Sequence, residues 1–193
     1  MQFEKNLLQK VVDKGSKKVA EAFTKLAGSP ATTEVSKVEI VPVAEATKRI
    51  KRPGGQAIVT YGQLLSGISG VSLLVMSRES ALVLVDLLNQ QAVGTTGILK
   101  DIDRSAIKET LNILSNSYMT ALAEESGIDL GMGVPGMITA ERTEDIIATV
   151  LTKGSNDDDN AIVFETTLVI TEHKVSASLY LLFNERLVEV MKK

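Results

Sequence analysis

Two long helical segments with the same ending recur in this chain of 193 residues. Apolar residues follow helical spacing over 3–27 and again over 101–126, and each segment stops at a glycine, Gly28 or Gly127. Glycine directly after the last periodic residue is a common helix stop. An offset of 99 aligns the two glycines and the apolar positions that precede them. A chain with this pattern is expected to build the same helix twice.

The segments that follow the two helices also match, and they do so in the same order. The pairs are "QAIVTY" (56–61) with "NAIVFE" (160–165), and "LLVMSRESALVLVDLL" (73–88) with "YLLFNERLVEVMKK" (180–193). Three ordered matches predict an internal duplication. The predicted repeats cover about 1–95 and about 100–193, and together they form one domain over 1–193.

Each repeat is predicted to run from a long helix through strands to a shorter helix. The predicted strands are 34–42, 144–153 and the two arms of each hairpin within 56–77 and 161–183. A short helix is predicted over 77–90, with Ser77 as its N-cap. The expected fold is α+β: an internally duplicated antiparallel β-sheet with two long helices packed on it, related by a pseudo-twofold axis.

Net charge and residue types exclude several classes of protein. The formal net charge is −3, so bulk electrostatics point neither to nucleic acid nor to a membrane surface. The chain has no cysteine and a single histidine, His173, which removes thiolate and histidine-rich metal sites. The acidic run at 156–160 lacks the ligand spacing of a calcium-binding EF-hand loop. The prediction is a cytoplasmic protein that binds no metal and has no signal peptide or membrane span.

The helix predicted over 101–126 has an apolar side and a polar row opposite to it. The apolar arc contains Ile107, Leu111, Leu114, Tyr118, Ala121 and Leu122. Ser105, Glu109, Asn112 and Asn116 lie on the other side at spacings of three and four residues, so their side chains are neighbours. A solvated helix surface is sufficient to explain this pattern as such. Asn112 is mildly out of place, because asparagine is disfavoured inside helices.

The residue types limit the chemistry that such a row can perform. The amide of Asn112 is neither a base nor a nucleophile, but it can donate and accept hydrogen bonds at once and so orient a water molecule. Glu109, about one turn away, can accept a proton or hold a cation. Phosphoryl transfer is a reaction in which positioning contributes most of the catalysis. Since the helix has no metal ligand set and no phosphate cradle, a phosphoryl group and its Mg²⁺ would arrive on a partner.

The spacing of the row is similar to the motif of the CheC/CheX/FliY phosphatases of bacterial and archaeal chemotaxis. That motif is Asp or Ser, three residues, Glu, two residues, Asn, twenty-two residues and Pro. Here Ser105 is followed by "AIK", Glu109, "TL" and Asn112, and Pro135 comes after twenty-two further residues. The duplicated architecture also resembles that of CheC proteins, so the resemblance covers nearly the whole chain.

The resemblance implies a hydrolase that acts on the phosphoaspartate of the response regulator CheY. Asn112 would position the attacking water, and Glu109 would pair with the lysine of the regulator's phosphate site. Ser105 and Pro135 would support the helix surface and the loop beside it. The chain itself would hold no cofactor, and the Mg²⁺ would belong to the regulator.

The first helix departs from the motif at the positions that matter most. At the offset of 99, Lys10 corresponds to Glu109 and Asp13 corresponds to Asn112. Lys10 would repel the regulator's lysine, and Asp13 would place an anion where a phosphoryl group approaches. One competent site and one inactive copy are therefore predicted.

Two protein-binding functions are the alternatives to the phosphatase. Some CheC proteins bind the receptor deamidase CheD, so an adaptor without catalysis, or one that combines both roles, is the first alternative. A binding protein associated with the motor switch is the second. The intact set of Ser105, Glu109, Asn112 and Pro135 favours the enzyme, because an adaptor has no need of Asn112.

Overall fold

The two long helices, the hairpins and the short helix after each hairpin occur along the chain in the predicted order. The computed structural model describes residues 2–51, 53–65, 68, 70–128, 130–140 and 160–191. Its helices are α1 (Gln2–Ala27), α2 (Val43–Ala46), α3 (Arg78–Leu88), α4 (Asp101–Ser126) and α5 (Arg186–Met191). Its strands are β1 (Thr32–Pro42), β2 (Ala57–Leu65), β3 (Gly70–Ser77), β4 (Gly131–Met132), β5 (Gly136–Ala140), β6 (Asn160–Ile170) and β7 (Val175–Asn184). The α+β class is confirmed.

The seven described strands form one antiparallel sheet. The order across it is β1, β6, β7, β3 and β2, and the two short strands β4 and β5 both pair with the outer side of β2. If β1, β2 and β3 are exchanged with β5, β6 and β7, the five pairings other than that of β2 with β4 are reproduced. An internal duplication predicts this symmetry of connections. The duplication itself and its boundaries stay a prediction.

The predicted hairpins and helix ends are confirmed. β2 pairs with β3, and β6 pairs with β7 across a turn of 3-10 helix at Thr171–His173. The predicted N-cap is also present, since the hydroxyl of Ser77 accepts a hydrogen bond from the N–H of Ser80 at 3.0 Å. The strand predicted over 144–153 and most of the acidic run at 156–160 lie outside the described residues.

The sheet is covered on both faces. The side chains of α1, α3 and α4 pack on one face around a core that includes Phe23, Leu111 and Phe164. The segment that contains α2 covers part of the other face, where Ile50 packs with Tyr180. Within the described ranges, no helix combines the length and apolar content that crossing a bilayer requires.

The two long helices are antiparallel neighbours. Lys14 and Lys18 of α1 pair with Glu125 and Glu124 at the end of α4, the second pair at 3.0 Å. Each helix ends in a glycine with a left-handed backbone, φ +63° at Gly28 and φ +69° at Gly127. Each glycine ends its helix and lets the chain turn toward the strand that follows, β1 after α1 and β4 after α4.

A close contact between the two helices depends on a glycine. Gly15 is buried in α1, and a Cβ atom placed on it would lie 2.7 Å from the Cε1 and Cζ atoms of Tyr118 in α4. The Tyr118 ring is itself buried and packs edge-on against Phe164, with ring centroids 5.6 Å apart. The ring therefore has little room to move away from α1.

A buried carboxylate fixes the loop that leads into α4. Asp86 of α3 is fully buried, and it accepts hydrogen bonds from the N–H groups of Gly94, Thr95 and Thr96 at 2.7, 3.1 and 2.8 Å. Burial alone would raise the pKa of Asp86, but the hydrogen bonds from Thr96, Gly94 and Thr95 outweigh it and lower the pKa. The charged form of Asp86 therefore holds the loop.

Replacing Gly15 by alanine should destabilise the protein. Alanine favours a helix over glycine by about 1 kcal/mol, but overpacking a core costs about 1–3 kcal/mol. Because the Tyr118 ring has little room to move, we expect the cost of overpacking to lie at about 2–3 kcal/mol, so the net loss in the free energy of unfolding by urea titration is about 1–2 kcal/mol. In the double variant Gly15→Ala with Tyr118→Leu the ring that the new methyl group meets is absent. The loss of stability should therefore be smaller than the sum of the losses in the two single variants. An unchanged or raised stability of Gly15→Ala would show that the helices do not meet here.

Replacing Asp86 by asparagine should weaken the fold in a pH-dependent way. A neutral amide cannot replace three charge-assisted bonds, so we expect a loss of about 2–3 kcal/mol at pH 7. Because the folded pKa of Asp86 is lowered, its contribution is present above the unfolded value of about 3.9 and disappears as pH falls through the folded pKa. The gap between wild type and Asp86→Asn should therefore narrow below pH 4 in urea titrations. Glu21→Gln, a change at an exposed acid of α1, is the control, and a gap that is constant with pH would contradict the role given to the charge.

Candidate functional site

The predicted core side of α4 faces the sheet, and this orientation turns the polar row outward. Every residue of the predicted apolar arc, from Ile107 to Leu122, is buried. Ser105, Glu109 and Asn116 are exposed, and Asn112 is partly buried. The row is thus a surface feature on a helix that is fixed by its opposite side.

Glu109 is free to meet a cation from outside. It is exposed, and none of the salt bridges between described residues involves it. Ser105, one turn earlier, donates its hydroxyl hydrogen to the carbonyl oxygen of Asp101 at 2.9 Å. Ser105 therefore bonds to its own helix, as a supporting residue would.

The amide of Asn112 contacts a second amide on the same helix. The Nδ2 atom of Asn116 donates to the Oδ1 atom of Asn112 at 3.2 Å. This bond restricts the rotation of the Asn112 side chain and leaves its own NH₂ group without a hydrogen-bond acceptor among the described residues. An asparagine held in this way loses less freedom when it binds a water molecule or a partner.

Pro135 lies in the break between β4 and β5, at the edge of the sheet. β4 and β5 both pair with β2 and both contact α4. Proline has no N–H to give to a ladder, so it fits a gap between two short edge strands. The N–H of Gly133 donates to the carbonyl oxygen of Gln63 at 2.9 Å and fixes the loop. Val134, beside Pro135, is 97% exposed.

The corresponding surface of α1 carries different chemistry. Lys10 and Asp13 are exposed, as their counterparts on α4 are largely exposed. Asp13 accepts a hydrogen bond from the Nε2 atom of Gln9 at 2.9 Å. The two positions are therefore accessible in both helices. α1 presents the cation of Lys10 and the anion of Asp13, whereas α4 presents the anion of Glu109 and the amide of Asn112.

The site has the groups to orient water and to bind a cation. Among the described residues, no cluster of histidine and acidic side chains could hold a metal ion. Glu109 and Asn112 thus offer one negative charge and one amide on an exposed helix. Such a pair can act on a reactive group that a partner presents.

The sequence interpretation missed three features near this row. Asp86 interrupts the apolar run "ALVLVDLL" of α3, and that interruption was the available signal. Ile98 and Ile102 are 74% exposed where the chain enters α4. Ile102 lies on the polar side of the predicted helix, and an apolar residue at such a position was a signal as well.

Sequence comparison finds a chemotaxis protein. CheC1 of Halobacterium salinarum, described as a candidate CheY-P phosphatase, is 24% identical over 166 residues, which are 86% of this chain and 83% of that protein. No protein-family model matches the chain.

Solved structures of chemotaxis and motor proteins share the fold. FliY of Thermotoga maritima has a TM-score of 0.73 at 20% identity, over 100% of this chain and 95% of that chain. CheX of Vibrio vulnificus has a TM-score of 0.58 at 13% identity, over 90% and 98%. FliM in the FliG–FliM complex of H. pylori has a TM-score of 0.65 at 10% identity, over 100% of both chains. The chain is thus similar in sequence to CheC1 and shares its fold with FliY, CheX and FliM.

Proposed function

We propose that this protein is a signal-termination phosphatase of chemotaxis that hydrolyses the phosphoaspartate of a CheY-type response regulator. The observation that supports the proposal most is the outward row of Ser105, Glu109 and Asn112 on a helix whose other side is buried. The similarity to CheC1 supports the same reaction class. The Mg²⁺ of the reaction belongs to the regulator, and the protein acts in the cytoplasm, where the regulator is phosphorylated.

Asn112 positions the water in this mechanism. The water attacks the phosphorus atom, the bond between phosphorus and the aspartyl oxygen breaks, and inorganic phosphate leaves the restored carboxylate. The amide of Asn112 orients the water for attack in line with the leaving oxygen. Asn116, which bonds to the amide of Asn112, is a positioning residue.

Glu109 docks the helix on the regulator. Its unpaired carboxylate meets the lysine of the regulator's phosphate site, where low water content strengthens the attraction. Lys10 at the corresponding place on α1 would repel the same lysine. We therefore assign the activity to α4 and treat α1 as its inactive counterpart.

A binding role in the motor switch is the second candidate. FliM, which has this fold, is seen in complex with FliG. A protein of this class would bind its partner without speeding the loss of phosphate. An adaptor for CheD is the remaining alternative, and it also predicts no effect on phosphate loss.

Replacing Asn112 by alanine should abolish most of the activity. The measurement is the decay of a phosphorylated CheY-type regulator with and without the protein. Removing one preorganised polar group costs about 10²-fold in rate, so Asn112→Ala should lose about that factor. Asn116→Ala keeps the catalytic amide and removes only its neighbour, so it should lose about tenfold or less.

Circular dichroism and thermal unfolding of both variants should match those of the wild type, because Asn116 is exposed and Asn112 is only partly buried. If the wild-type protein leaves the decay of the regulator unchanged, the phosphatase proposal is wrong, and a binding role becomes the better explanation.

Changes on α1 should leave the activity intact. Lys10→Ala and Asp13→Ala remove exposed side chains at the inactive copy, so the rate of regulator dephosphorylation should stay within about twofold of the wild-type rate. Glu109→Lys, which copies Lys10 onto α4, should lower kcat/KM more than Glu109→Gln does, since it adds repulsion to the loss of attraction. A tenfold loss in Lys10→Ala would show that α1 takes part in the reaction.

A further inference from the structure

Two isoleucines are exposed beside the polar row. Ile98 and Ile102 lie four residues apart, each 74% exposed, and both line a groove of about 750 Å³ where the chain enters α4. A single exposed isoleucine needs no explanation. Two of them at one groove form an apolar patch that burial in a complex would stabilise.

Hydrogen bonds on both sides of Ile98 hold this patch in place. The carbonyl oxygen of Gly97 accepts a bond from the Nη2 atom of Arg78 at 2.9 Å. The N–H of Lys100 donates to the Oδ2 atom of Asp103 at 2.8 Å, and the buried Asp86 holds the start of the same loop. A patch fixed in the free protein loses little conformational entropy when a partner covers it.

The patch continues the proposed catalytic row. Ile102 precedes Ser105 by three residues and Glu109 by seven, and at 3.6 residues per turn these three residues lie with Asn112 within an arc of about 80°. Along the helix axis Ile102 is about 13 Å from the midpoint of Glu109 and Asn112. A protein partner of standard size covers about 800 Å², a disc of about 16 Å radius. A partner centred on the row therefore reaches Ile102.

We propose that Ile98 and Ile102 form an apolar docking patch for the response regulator that presents its phosphoryl group to Asn112. The proposal rests on the proposed function and adds a second contact to it. The regulator places apolar side chains near its phosphorylation site on the patch while Glu109 engages its lysine. Most of the binding strength then comes from the patch, Glu109 adds its pairing with the lysine, and catalysis comes from Asn112.

The position of the patch favours the regulator over a second copy of this chain. A copy seated on Ile98 and Ile102 with an interface of standard size would also cover Glu109 and Asn112, because of the same 13 Å separation. It would close the row to any phosphoryl group. A regulator centred on the row covers the two isoleucines and presents its phosphoryl group to the row in the same complex.

The test compares binding with turnover in matched variants. The probe for binding is the CheY-type regulator with Mg²⁺ and beryllofluoride, a stable mimic of the phosphorylated state, and Kd is measured by titration calorimetry. Turnover of the phosphorylated regulator gives kcat and KM. The variants are Ile98→Ser, Ile102→Ser and the double change. Ile40→Ser is the control, because Ile40 is 46% exposed on β1 at the opposite edge of the sheet.

We expect Kd and KM to rise about tenfold for each isoleucine removed, since burying such a side chain contributes at least one factor of ten in affinity. The value of kcat at saturation should stay within about twofold, and Ile40→Ser should match the wild type. Asn112→Ala should show the reverse, with kcat lost and Kd kept.

Two results would overturn the docking patch and leave the phosphatase intact. One is an unchanged Kd in the double variant while Asn112→Ala is inactive. The other is a change from dimer to monomer in the double variant, by sedimentation, with an unchanged Kd for the regulator. A wild-type protein that neither binds the activated regulator nor speeds its dephosphorylation would instead contradict the proposed function, and the patch with it.

Discussion

The close antiparallel contact between α1 and α4 is the constraint on which the rest of the structure depends. Gly15 leaves room for the ring of Tyr118, and the ring in turn packs against Phe164 of the sheet. The contact fixes how α4 is rotated about its own axis. That rotation decides which residues of α4 are buried, and so which residues remain for a partner.

Stability and chemistry use opposite sides of the same helix. The buried side of α4 carries apolar residues from Ile107 to Leu122, whereas Glu109 and Asn112 make few contacts with the rest of the described chain. Residues at the row can therefore differ between α1 and α4 with little effect on packing. This separation lets the two long helices carry different surface chemistry on the same buried architecture.

The sequence predicted the fold class, the hairpins and the exposed row, because helix and strand periods are local properties of the chain. It did not predict β5, since "GMGVPGMITA" carries glycine and proline and becomes a strand only by pairing with β2. The contacts of Gly15 with Tyr118 and of Lys14 with Glu125 were equally out of reach. Each of these contacts joins residues about a hundred positions apart in the sequence, and a local sequence pattern carries no information about such a contact. The motif residues were found through their spacing, but the bond between Asn116 and Asn112 needed side-chain geometry.

The place of β1 in the sheet has a consequence for how the protein is made. Among the described strands, β1 pairs with β6 alone, and Val38 lies opposite Phe164. At roughly 5–20 residues per second, a ribosome needs on the order of ten seconds to add the intervening chain. During that time β1 is an unpaired strand open to other nascent chains. Glu34, Lys37 and Glu39 place charges along this strand. Such charges discourage pairing with other chains until β6 has been synthesised.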